Sequence, residues 1–126
     1  MRTWAIVGSG ITALGLVARR SFMIVRVEGS SMLPTYADGD HLLAVRPPLG
    51  RAIRPGDVVV VVAPGPSPAT RAVETLVKRV AEVEPARRPR QVFVVGDSGP
   101  SYDSRVFGPL ASDAVLGRVV RVVSTG

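Results

Sequence analysis

An all-β domain of about six or seven short strands, preceded by one hydrophobic N-terminal helix, is the architecture this sequence predicts. Three observations carry that expectation. From residue 21 onward the chain is a succession of short Val- and Ile-rich runs punctuated by Gly, Pro and Asp. Two of those runs share one design, a Gly-Asp turn feeding an apolar segment: DGDHLLAV (38–45) and RPGDVVVVVA (54–63). The stretch before residue 20 differs from everything after it, being uncharged from Trp4 to Ala18.

The division is therefore residues 1–20 as a membrane anchor and residues 21–126 as a β-rich domain. The segment WAIVGSGITALGLVA (4–18) has Arg2 before it and Arg19-Arg20 after it. It is short for a span, which usually needs about 20 apolar residues. A short anchor, a cleaved signal peptide and a buried helix compete. No small-residue cleavage pattern precedes Arg19-Arg20, which favours the anchor. The flanking arginines do not settle its orientation. In the following domain, FMIVRVEG (22–29) alternates as a strand does, and the runs after Asp40 and Asp57 read as two more. PGPSPAT (64–70) is a loop. AVETLVKRVAEVE (72–84) has both helical and strand features, and its Val pairs favour strand. PARRPR (85–90) is a proline-broken connection, and QVFVV (91–95) and AVLGRVVRVV (114–123) are further strands.

Composition narrows the chemistry. The chain has no cysteine, which excludes disulfides and thiolate metal sites, and its one histidine, His41, excludes a His cluster. We expect no metal and no cofactor. Net charge is +6 and the pI about 11.2. Such a surface suits nucleic acid or anionic lipid. The lack of a helix-turn-helix pattern and the scarcity of aromatics favour lipid and argue against nucleic acid. A plain Arg bias would produce the same charge. Within that bias, one residue of the 16 Lys and Arg is lysine, Lys78. An arginine stays protonated in a protein, whereas a desolvated lysine can lose its proton.

Three segments carry candidate chemistry. GSSMLPT (29–35) places serines just after a strand, where a hydroxyl and its own backbone N–H can face one substrate carbonyl. Alone, a Ser-Ser turn is more often only a turn. LVKRV (76–80) sets Lys78 between Val77 and Val80, an apolar setting that lowers an amine pKa; a lysine pointing to solvent is the plain alternative. GDSGPSYDSRVFG (96–108) reads as a structured loop with an Asp103–Arg105 ion pair, or as a surface turn.

Together these segments resemble the ordered motif boxes of the type I signal peptidases: Ser-Met-x-Pro-Thr, then Lys-Arg-Val, then Gly-Asp followed by Ser-x-Asp-Ser-Arg and an aromatic-Gly pair. The resemblance spans nearly the whole chain. It implies a small signal-peptidase-like β catalytic domain behind an N-terminal anchor helix. It implies a membrane-bound serine endopeptidase that removes N-terminal signal or leader peptides from precursor proteins with small residues before the cut. By position, Ser31 falls at the nucleophile and Lys78 at the general base. Ser101 matches the serine that hydrogen-bonds the base, and Asp103 with Arg105 matches a supporting ion pair. Ser30 is a neighbour of the nucleophile. The oxyanion hole is expected from the Ser31 N–H and a group at Gly29. The strands before Ser31 and before Lys78, the latter including Val77, would sandwich an extended substrate. The resemblance also places the domain on the extracytoplasmic side of a single-pass anchor in the cell membrane.

Two departures stand out. Ser98 occupies a position where asparagine is commoner, and the segment between Lys78 and Gly96 is too short for the second domain of larger members. The chain is thus similar to the compact forms, the mitochondrial inner-membrane peptidases and the actinobacterial proteases that mature nickel-type superoxide dismutase. A dedicated maturation protease for one such precursor is the first alternative, and a non-catalytic membrane-tethered β-domain the second. The Ser-Lys autoproteases of the SOS repressors share the serine and lysine segments but lack Pro34 and the Asp-Ser-Arg box. A basic nucleic-acid-binding β-domain rests on charge alone.

Overall fold

The computed structural model describes residues 21–47, 51–67, 69–86 and 88–126. The segment expected as an anchor, 1–20, lies outside the described residues. Among those described, no helix is long and apolar enough to cross a membrane.

The expected β character holds. The strands are β1 (Phe22–Arg26), β2 (His41–Val45), β3 (Val58–Pro64), β4 (Val73–Glu84), β5 (Gln91–Val95), β6 (Leu110–Ala111) and β7 (Val115–Ser124). They form one antiparallel sheet in the order β1-β2-β7-β3-β4-β5-β6. The run at 72–84, ambiguous by periodicity, is a strand because it pairs along its length, first with β3 and then with β5. Three elements were not expected, one of them a 3-10 turn at Ser112–Ala114. β6 has two residues and so carries no alternation to read. The single helical turn α1 (Ser104–Phe107) is set by its cap, the Asp103 carboxylate accepting from the Arg105 N–H, and not by an apolar stripe.

β3 shows that this sheet is covered on both faces. Its residues Val58, Val59, Val60 and Val61 are all buried, so both faces are covered. One face joins Val59, Val61 and Ala63 to Val80, Val92, Val94, Leu110 and Val115 in the main core. On the other, Val60 lies opposite Gly117, where a Cβ would come within 3.1 Å of the Val45 carbonyl oxygen and 3.3 Å of the Met23 sulfur. Glycine at 117 lets β1 and β2 fold closely over the centre.

The topology also leaves two edges facing each other. β4 is bonded to β3 over residues 73–79 and to β5 only from Arg79 onward, with a bulge between Val80 and Glu82. Its first half therefore has one side with no strand partner among the described residues. Among those residues β1 is the terminal strand of the sheet and pairs with β2 alone. A cleft of about 240 Å³ lies between these strands.

Truncating Val61 to alanine removes two buried methyl groups from the main core. The expected loss is about 1.5–3 kcal/mol, read as a lower urea midpoint at unchanged slope. An unchanged midpoint would mean that the core does not run through β3.

Candidate active site

Ser31 lies in the turn that follows β1. That turn is held by overlapping backbone bonds, Leu33 N–H to the Ser30 carbonyl at 3.2 Å and Tyr36 N–H to the Met32 carbonyl at 2.9 Å. Met32, 1% exposed, anchors it in the interior and leaves Ser31 half-buried at the floor of the cleft. Lys78 arrives from β4, opposite Val59, and is itself buried, 3% exposed. Its Nζ stands 2.9 Å from Ser31 Oγ. Two residues 47 apart in sequence thus meet in the lining of the cleft.

Burial pushes the Lys78 amine below the ordinary lysine value. The Asp103 carboxylate and, more weakly, Glu74 act in the opposite sense, while Arg105 adds to the lowering. Because Asp103 and Arg105 form an ion pair, their fields on the amine partly cancel and desolvation prevails. A neutral amine at this distance can accept the hydroxyl proton, and Ser31 Oγ can then attack a carbonyl in the cleft.

Asp103 is fully buried. Burial alone would raise its pKa, yet bonds from Arg105, Ser101 and the Gly96 and Arg105 backbone hold the carboxyl well below the usual range. Arg105 reaches it through Nη2 at 2.6 Å and Nε at 3.0 Å, and the Gly96 N–H donates at 2.8 Å. Ser101 Oγ also donates to this carboxylate. The resemblance implied that Ser101 would bond the amine of Lys78. In the structure its hydroxyl proton goes to Asp103, the stronger, ionised acceptor, and Arg105 Nη2 lies 3.3 Å from the same oxygen.

Of the remaining expected residues, Val77 lines the cleft beside Thr75 and Leu76, with Val25 to Glu28 of the facing wall. Ser30 is exposed, and its carbonyl closes the turn. The Gly29 N–H donates to Asp38 Oδ1 at 2.8 Å, so this amide is already committed to the turn. Among the described residues the Ser31 N–H has no such partner and remains the one expected oxyanion donor that is free. Among the described residues no three His, Cys, Asp or Glu side chains are placed to hold a metal ion.

Sequence reasoning assigned no role to a second network. Arg79, next to Lys78, grips Asp97 with Nε and Nη2, both at 2.7 Å, and donates from Nη1 to the Gly56 carbonyl at 2.7 Å. Asp97 also accepts from the Thr35 hydroxyl at 2.5 Å. Three segments, the Ser31 turn, β4 and the loop after β5, are tied together one residue away from the amine. Its signal was present in the Thr, Arg and Asp of the three motif boxes, but neither periodicity nor charge reveals that they meet. The same loop touches Ser31 directly, since the Ser98 N–H donates to the Ser31 carbonyl at 2.9 Å. That bond is made by backbone alone and does not call on the side chain at 98.

A model of the family described as "Signal peptidase, peptidase S26" matches residues 1–87, which hold both Ser31 and Lys78. No curated protein matches the chain.

Two outcomes follow from this geometry. A Cβ at Gly96 would lie 2.5 Å from Ser101 Oγ and 2.7 Å from the Ser31 carbonyl oxygen. Gly96→Ala should therefore cost about 1–3 kcal/mol in unfolding free energy; wild-type stability would show that the loop yields freely. Lys78, with its folded pKa depressed, binds its proton less tightly when folded than when unfolded. The folded state is penalised below the folded pKa, and the penalty fades as pH rises towards the unfolded value. Lys78→Met should raise the unfolding midpoint at neutral pH, with the gap over wild type narrowing at alkaline pH. A gap independent of pH would contradict the desolvated amine.

Proposed function

Since the chain belongs to the signal peptidase, peptidase S26, family, we propose that it is a membrane-bound serine endopeptidase that removes N-terminal signal or leader peptides through Ser31 and Lys78. Family membership makes it a peptidase and points to precursor proteins as substrates. The observation that carries the finer reading is the 2.9 Å approach of a buried, single lysine to Ser31 Oγ.

The proposed reaction runs in two halves. Neutral Lys78 takes the Ser31 hydroxyl proton as Oγ bonds to the scissile carbonyl carbon. The oxyanion that forms is met by the Ser31 N–H. The C–N bond breaks, the lysine proton goes to the departing amine, and an ester to Ser31 remains. Lys78 then takes a proton from water, whose oxygen attacks the ester. The acid product leaves and releases its remaining proton to solvent, while the lysine proton returns to Ser31 Oγ.

The substrate would bind as an extended strand between the free edge of β4 at 73–77 and β1, with main-chain pairing on either side. Buried Met32 closes the floor, which leaves room for small side chains next to the cut. We further propose that residues 1–20 anchor the chain once in the cell membrane, with residues 21–126 on the extracytoplasmic side. The uncharged stretch from Trp4 to Ala18 supports this.

The detergent-solubilised full chain is expected to cut a secretory precursor after a small residue, as read by mass spectrometry. Ser31→Ala should yield no product. Lys78→Arg, which keeps charge and approximate size, should lose roughly 10²- to 10⁴-fold in rate. The wild-type rate should climb with pH through a midpoint below the ordinary lysine value, because the base must be uncharged. A fully active Lys78→Arg or a flat profile from neutral to alkaline pH would overturn the dyad. Intact general precursors beside one cleaved dedicated partner would restrict the substrate range to that partner.

A further inference from the structure

The strand that carries Lys78 carries a second ionisable group on the same face. In the unbroken pairing of β3 with β4, Lys78 lies opposite Val59, Leu76 opposite Val61 and Glu74 opposite Ala63. Val59, Val61 and Ala63 belong to the main core. By strand alternation Glu74, Leu76 and Lys78 therefore share one face of β4. Glu74 is half-buried there, and its carboxylate acts on the Lys78 amine, favouring the charged form. Among the described residues it has no hydrogen-bond or ion-pair partner. The chain's other carboxylates accept hydrogen bonds or lie against an arginine, except Glu82 and Asp113, which stand in solvent. Glu74 alone is drawn in from water and left without a partner among the described residues, a position that a cation would relieve.

Strand register says where that cation would come from. Thr75 to Lys78 line the cleft along β4, and Glu74 is next in the strand. It lies on the stretch of β4 whose second edge has no strand partner among the described residues. A substrate extended along this edge keeps step with β4, since both chains rise by about 3.3 Å per residue. With the residue before the cut level with Lys78, the fifth residue before the cut is level with Glu74. Side chains directly opposite on one face stand about 5 Å apart, within reach of an ion pair. We infer that Glu74 is a specificity-determining residue, which receives a lysine or arginine side chain at the fifth position before the cut. The inference rests on the Ser31–Lys78 peptidase reading above and adds a charged subsite to the small residues next to the cut. The facing wall contributes no net charge, because Arg26, which lines the cleft, lies 3.5 Å from Glu28. Glu74 thus sets the sign of the preference.

The test uses the detergent-solubilised full chain and a precursor whose cut is mapped by mass spectrometry. Its fifth residue before the cut is made lysine, methionine or glutamate, with nothing else changed. The lysine form should show a kcat/KM about fivefold that of the methionine form, as an ion pair at a partly solvated site gives. The glutamate form should fall below both. The gain should lie in KM and leave kcat alone, since the contact is remote from the reacting carbonyl. It should shrink at high salt. Glu74→Gln should bring the lysine-to-methionine ratio close to one, and Glu74→Lys should favour the glutamate form. Taking ratios within each enzyme cancels the effect of Glu74 on the Lys78 amine. Lysine at the fourth or sixth position faces the other side and should confer no preference. A wild-type ratio of one, a ratio that survives Glu74→Gln, or an equal preference at the fourth or sixth position would overturn this inference and leave the peptidase reading standing. Failure to cut any form of any precursor would defeat that reading, and this inference with it.

Discussion

Keeping one amine out of water is the constraint around which this domain is arranged. An ammonium held in an apolar setting costs several kcal/mol unless it is paired, and the group commonly sheds its proton instead. Lys78 lies on the same face of β4 as Val80 and is 3% exposed. Its strand must therefore be placed by other residues, since the amine itself resists being there. The valines of β3, buried on both faces, supply that placement. β3 holds the first half of β4, and the change of partner at Arg79 frees the opposite edge without loosening the strand.

The ionised groups close to the amine are arranged so as not to undo this. A bare carboxylate at Asp103 would favour the ammonium form. Arg105 offsets it, and the hydrogen bonds from Ser101, Gly96 and the Arg105 backbone fix the carboxylate in place. Arg79 and Asp97 neutralise each other in the same way, and with Thr35 and Gly56 they brace the turn on which Ser31 sits. Two paired charges flank one desolvated amine, and the local balance leaves burial in control of its protonation. The bracing supports the proposed chemistry because a nucleophile and base must be held within hydrogen-bond reach by groups other than themselves.

Much of this was legible in the sequence, and the parts that were not share a cause. The β runs were readable because a buried strand must be apolar, and the boundaries of β5 came out as expected. Ser31 and Lys78 stood out through residue chemistry, a serine after a strand and a lone lysine in an arginine-rich chain. β6 and α1 were missed because one is too short for a pattern and the other is set by a single carboxylate. The donation of Ser101 to Asp103, and of the Gly29 amide to Asp38, depends on how the loops fold, which no local sequence pattern displays. The Thr35–Asp97–Arg79 link joins residues 62 and 18 apart, and contacts at such separations leave no trace in local pattern.

The lone lysine also permits the most direct measurement. Chain grown with lysine labelled at the side-chain Cε carbon yields one such signal, from Lys78, with no assignment required. Following its chemical shift by NMR from neutral to strongly alkaline pH reports the protonation of this amine alone. A midpoint clearly below the ordinary lysine value is the result expected here, moving back towards that value when the chain is unfolded in denaturant. A folded-state midpoint equal to that of the unfolded chain would mean that Lys78 is a solvated ammonium at neutral pH, and the account of Ser31 activation would fail.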